Sequence, residues 1–125
     1  MRRWRNADNA RTERWKRENE APRLKSEVPA LASLRFELDE LQEGHSVGSA
    51  RCVRHIMVAT AAARFEIPCS ETRCEHGGHD ITLPVLSELR ASNAKFSGED
   101  VCRGSVGDRG CGRVLRYTAH ATYNE

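Results

Sequence analysis

The run Pro68-Cys69-Ser70-Glu71-Thr72-Arg73-Cys74-Glu75-His76-Gly77-Gly78 decides how this chain is read, together with a second, Val101-Cys102-Arg103-Gly104-Ser105-Val106-Gly107-Asp108-Arg109-Gly110-Cys111-Gly112. Each carries a close cysteine pair, with four residues between the sulfurs in the first and eight in the second. Glycines crowd both runs and let the backbone turn tightly. Two thiolate pairs on such turns, separated by a helix-sized insert, supply the four ligands of a closed tetrahedral zinc site. The expected ligands are Cys69, Cys74, Cys102 and Cys111, and the expected ion is zinc. The gap of eight calls for a small loop, and five of the twelve residues from Val101 to Gly112 are Gly or Asp, which permits one. Two other readings stay open: reduced cysteines packed as small hydrophobes, and a redox pair. His76 and His79 flank Gly77-Gly78, so either imidazole could replace a sulfur, and Asp80 could orient an imidazole or cap a following helix.

Working outward, the chain has 125 residues, 38% of them apolar and 30% charged. That is a thin core for one domain, and small domains with thin cores lean on a metal, a disulfide or a partner. Five cysteines are an odd number for a disulfide framework and leave Cys52 as a free thiol. No apolar run suggests a secretory leader or a membrane span, so a cytoplasmic protein without membrane attachment is expected, where clustered cysteines hold metal more often than disulfides.

The net charge of +2 is unevenly spread. Residues 1–27 hold nine Lys/Arg against five Asp/Glu, while 28–125 hold eleven against thirteen. The first segment reads as a basic arm, helical or disordered, and the second as the metal-stabilised domain. Both tryptophans, Trp4 and Trp15, sit in the arm, eleven positions apart, so a helix sets them on one face with Arg11 between. Cations that neutralise phosphates and indoles that stack on bases suit single-stranded nucleic acid. Interleaved Asp8, Glu13, Glu18 and Glu20 more often form i,i+4 pairs on a solvated helix than a phosphate track, and exposed indoles also anchor protein partners. A linker is expected from Ala21 to Pro29, since prolines stop helices.

Leu31, Leu34, Leu38 and Leu41 are spaced as on a helix, yet Leu34, Phe36 and Leu38 alternate with Arg35 and Glu37 as on a strand. A strand over 33–40 is favoured, because a turn at 44–48 leads into a second strand-like segment near 53–67, with the alanines at 61–63 weakening it. A helix is expected over 82–95, capped by Thr82, tolerating Pro84 in its first turn and ended by Ser97-Gly98. Val114 to Tyr123 is β-branched and aromatic, so a closing strand is expected over 113–123. The fold class is therefore α+β: a small antiparallel sheet with one packed helix, a four-cysteine zinc site and an N-terminal arm.

Catalytic motifs are missing. There is no His-Glu-x-x-His, no His-x-Glu before a Pro-Cys-x-x-Cys, no phosphate loop and no Gly-x-Ser-x-Gly. Cys52 and His55 fall on opposite sides of a strand. An enzyme is not expected. Arg103, Arg109, Arg113 and Arg116 form a second basic cluster in sequence.

The two cysteine turns and the strand after them, residues 69–112, resemble the zinc-ribbon and treble-clef class of small zinc domains. The chain departs from that class in both gap lengths and in the helix between the pairs. The resemblance implies a structural metal in a module that binds nucleic acid or protein. The function expected is a zinc-binding accessory protein acting on nucleic acid in transcription or translation, with a protein-interaction adaptor as the alternative.

Overall fold

The computed structural model describes residues 2–41, 48–71 and 73–124, with the backbone alone at 2–10 and 48–51. In chain order the elements are α1 (Arg2–Glu20), α2 (Leu24–Glu27), β1 (Leu31–Leu41), β2 (Gly48–Ile56), β3 (Glu66–Ile67), β4 (His79–Asp80), α3 (Thr82–Arg90), β5 (Lys95–Val101), β6 (Ser105–Val106), β7 (Arg109–Gly110) and β8 (Val114–Tyr123). The chain is α+β, built on a four-stranded antiparallel sheet of order β2-β1-β8-β5.

Alternation along β1 wins over the helical leucine spacing because a pleated strand puts every second residue on one face. Leu34, Phe36 and Leu38 are buried, and their partners on β8, Ala121, Ala119 and Tyr117, are buried with them. Arg35, Glu37 and Asp39 take the other face, opposite His120, Thr118 and Arg116. The apolar face joins Val85, Leu86 and Leu89 of α3, and Val58, Ala63, Phe65 and Ile67, in one core. Phe36 meets Phe65 and Tyr117 edge-on, at ring-centre distances of 5.5 Å and 6.4 Å.

Four expectations are corrected. The segment near 53–67 is not one strand: β2 ends at Ile56, and the amides of Thr60 and Ala61 close a turn onto Met57 O. Leaving the sheet there lets Val58, Ala63, Phe65 and Ile67 fold back over its apolar face. The helix after Thr82 stops at Arg90, closed by Ser92 in the left-handed region (φ 59°), and residues 95–101 form the fourth strand. Ser97-Gly98 lies inside that strand instead of ending the helix. Gly98 is required for packing, because a Cβ there would lie 2.5 Å from Tyr117 Oη. Thr82 caps nothing: its hydroxyl accepts the Phe65 amide, while Asp80 Oδ1 accepts the amide of Thr82. The segment expected as a linker contains the turn of helix α2, and Leu24 and Val28 belong to the core. Residues 42–47 of the expected turn lie outside the described residues.

Candidate metal centre

The paired strands β3 and β4, Glu66↔Asp80 and Ile67↔His79, close the loop that carries Cys69 and Cys74. Strand β5 delivers Cys102, whose amide donates to Arg113 O at 2.7 Å. The β6–β7 hairpin returns the chain to Cys111, whose amide donates to Gly104 O at 2.8 Å. The two loops are stitched together by reciprocal hydrogen bonds between Glu75 and Ser105, at 2.8 and 3.0 Å.

The four sulfurs Cys69, Cys74, Cys102 and Cys111 consequently all lie within 4.8 Å of one another. Cys69 faces Cys111 and Cys74 faces Cys102, each pair at 3.6 Å. A tetrahedron with metal–sulfur bonds of about 2.3 Å has edges of about 3.8 Å, so one ion can reach all four. None of the four is in a disulfide, and 3.6 Å is well beyond an S–S bond of about 2.05 Å.

Backbone without side chains presses on the sulfurs. A Cβ on Gly77 would lie 2.3 Å from Cys74 Sγ and 2.6 Å from Cys102 Sγ, and one on Gly104 would lie 2.5 Å from Cys74 Sγ. A side chain at Gly77 or Gly104 would displace a sulfur. Gly78 donates its amide to Cys102 Sγ at 3.3 Å.

Thiolate charge is costly at Cys69 and Cys74. Burial pushes the Cys69 thiol far above its ordinary value, and the hydrogen bond to Cys111 adds to this. Cys74 is pushed up to about 12 by burial and by its bonds to Cys102 and Cys111. At Cys102 burial acts in the same direction, but amide bonds from Gly78 and Gly104 and the bonds to Cys74 and Cys69 outweigh it, and its pKa is lowered. Four thiolates cannot share this volume without positive charge, so a divalent ion taken up here displaces protons.

Sequence reasoning missed the groups beside the sulfurs. Glu40, buried on β1, accepts the Ser70 amide at 3.1 Å and the Ser70 hydroxyl at 2.6 Å, with Cys69 Sγ 3.8 Å from the same oxygen. His79 is buried with Nδ1 3.0 Å from Asp100 Oδ2 and Nε2 3.3 Å from Glu40 Oε2, the latter close enough for ion pairing but off the hydrogen-bond line. Arg113 reaches the same cluster through Glu40, Glu71 and Ser70. The available signal was parity. Glu40 continues the inward series Leu34, Phe36, Leu38, and Asp100 continues Phe96 and Gly98, so each is an acid at a core-facing position.

His79 therefore turns its nitrogens to carboxylates, and His76 is exposed with φ 57°. Among the described residues, the four cysteines are the group that converges on one point. Cys52 is exposed on β2. Trp4, Arg11 and Trp15 all lie in α1; the Arg11 and Trp15 side chains are exposed, and that of Trp4 lies outside the described ones. The second arginine cluster is not one patch, since Arg113 turns to Glu71 and Arg116 pairs with Glu99 at 3.0 Å.

No protein-family model matches the chain, and comparison with curated proteins and with solved structures finds no match either. No helix among the described residues is long and apolar enough to cross a membrane.

Proposed function

We propose that the protein is a small zinc-binding accessory protein that acts by binding nucleic acid, not by catalysis, in a reducing, cytoplasmic setting. Zinc suits the donor set: four cysteine sulfurs within 4.8 Å of one another supply the closed ligand set of a structural site. The cysteine ligands would clamp the β3–β4 loop to the β6–β7 hairpin, and removing one should loosen both. Cys102→Ser is expected to bind well under one zinc per chain by elemental analysis, and full occupancy would refute the assignment.

The observation that carries the binding reading is Trp15, 63% exposed on α1, with Arg11 exposed one turn before it. An indole left in water beside a guanidinium can stack on a base while the cation neutralises a phosphate. The full-length zinc-loaded chain should bind single-stranded RNA or DNA with an affinity that falls steeply with salt. Trp15→Ala should weaken it several-fold and Arg11→Gln should reduce the salt slope by about one. Binding unchanged in both variants refutes the arm as the interface.

A protein-interaction adaptor is the second reading, favoured by the two sheet edges. Among the described residues, strands β2 and β5 are the edges of the sheet, and Val53, Met57 and Val101 are exposed on or just beyond them. That reading expects a protein partner held with little salt dependence.

A further inference from the structure

A continuous line of polar contacts joins the two halves of the cysteine cluster through the interior. It begins at Ser70, beside Cys69, whose amide and hydroxyl both donate to the Glu40 carboxylate. It passes from Glu40 Oε2 to His79 Nε2 at 3.3 Å and from His79 Nδ1 to Asp100 Oδ2 at 3.0 Å. It ends on β5, two residues before Cys102. The residue preceding His79 adds a direct tie, since Gly78 donates to Cys102 Sγ. The His79 side chain is wholly buried and that of Glu40 is 5% exposed.

Apolar residues of the same shape at positions 40, 79 and 100 would fill this space, and a buried ionisable network is weak evidence for stability by itself. What the polar chain supplies is direction. The Ser70–Glu40 and His79–Asp100 links fix a donor against an acceptor within a few tenths of an ångström, which apolar packing does not do, and the Glu40–His79 contact joins them by charge and proximity. Metal–sulfur bonds tolerate about 0.2 Å of error, so a cluster assembled from two distant loops needs such a fix.

We propose that His79, bridging Glu40 and Asp100, is a positioning residue of the metal centre that holds the Cys69 loop and the Cys102 strand at metal-binding separation before the ion arrives. This rests on the reading of the four cysteines as ligands. His79 touches no metal; it acts through Glu40 on Ser70 and Cys69, and through Asp100 on the strand end that carries Cys102. In its absence the ion must draw the two loops together itself, and affinity falls.

The test is a cobalt(II) titration of the full chain against a chromophoric chelator, with the sulfur-to-cobalt charge-transfer band reporting ligand identity. His79→Leu is expected to lose about 10- to 100-fold in cobalt affinity, the usual effect of removing a group that orients a ligand. It should keep the wild-type band at saturation. His79→Gln, which restores a side-chain donor, should recover part of the loss. Leu89→Ala, a core cavity far from the sulfurs in sequence, should lower thermal stability with affinity changed by less than about threefold. The proposal is overturned if His79→Leu binds cobalt as tightly as wild type, or if Leu89→Ala loses as much affinity as His79→Leu. Should His79→Leu fail to fold, Asp100→Asn decides by the same criterion, because that side chain is partly exposed and keeps its shape. A wild-type chain without the charge-transfer band sinks the ligand reading itself, an outcome separate from equal affinities in wild type and variant.

Discussion

Alanine at position 77 is the sharpest single perturbation of the centre. Its methyl would stand 2.3 Å from Cys74 Sγ and 2.6 Å from Cys102 Sγ, where ordinary contact begins near 3.4 Å. One or both sulfurs must retreat by about 1 Å, several times the 0.2 Å that a metal site tolerates. In the metal-free chain a cysteine can rotate its thiol away at little cost. With an ion bound it cannot, so the penalty falls mainly on binding. Overpacking of this size costs about 1–3 kcal/mol, or about five- to 150-fold in affinity. Gly110→Ala is the internal control: it lies one residue before Cys111, yet nothing stands within 4 Å of its added methyl. Isothermal titration of zinc into chelator-stripped protein should give near wild-type affinity for Gly110→Ala and a marked loss for Gly77→Ala, with similar apo melting curves. Equal zinc affinity in the two variants would show that the sulfurs do not hold the ion where the geometry puts it.

Gly98→Ala should destabilise the sheet by about 1–3 kcal/mol in denaturant titrations, because its methyl meets the Tyr117 hydroxyl at 2.5 Å and ring carbon at 2.7 Å. Leu24→Ala should cost about 2–5 kcal/mol, as that side chain is fully buried; a loss below 1 kcal/mol would mean that the segment before β1 is peripheral. Acid should release α1 from the domain. Burial raises the Glu66 pKa, but bonds from Arg17 and Arg64 outweigh it, so the folded value lies below the ordinary 4.5. The pair's contribution is complete above that ordinary value and is lost as pH falls through the lower folded one. With Arg17 facing solvent it amounts to at most about 1 kcal/mol. Emission of Trp15, which lies two residues before Arg17 on α1, should follow this transition, and Glu66→Gln should flatten it. Unchanged titration in Glu66→Gln would place the acid response elsewhere.

Much of the fold could be read from local pattern. The period-two run Leu34-Phe36-Leu38 gave β1, the β-branched and aromatic stretch from Val114 gave β8, and the stripe of Val85, Leu86 and Leu89 gave α3. Errors arose where long-range packing overrode local signals. Ser97-Gly98 looks like a helix stop, but Gly98 is there because the Tyr117 ring lies across it. The stretch near 53–67 has strand composition throughout, yet a strand leaves the sheet when its residues are needed to cover the core. Leu24 sits among charges and prolines, and nothing local marks it as buried.

The candidate centre divides in the same way. Cysteine type, spacing and flanking glycines are properties of the chain, since thiolate chemistry and backbone freedom are local to each residue. They were enough to name four sulfurs. That those sulfurs converge within 4.8 Å depends on strands meeting across the sheet and on the Glu75–Ser105 stitch. That Glu40, His79 and Asp100 line up behind them depends on three segments from distant parts of the chain being buried together. Distances between remote residues are set by how the core closes, and only the folded chain contains that information.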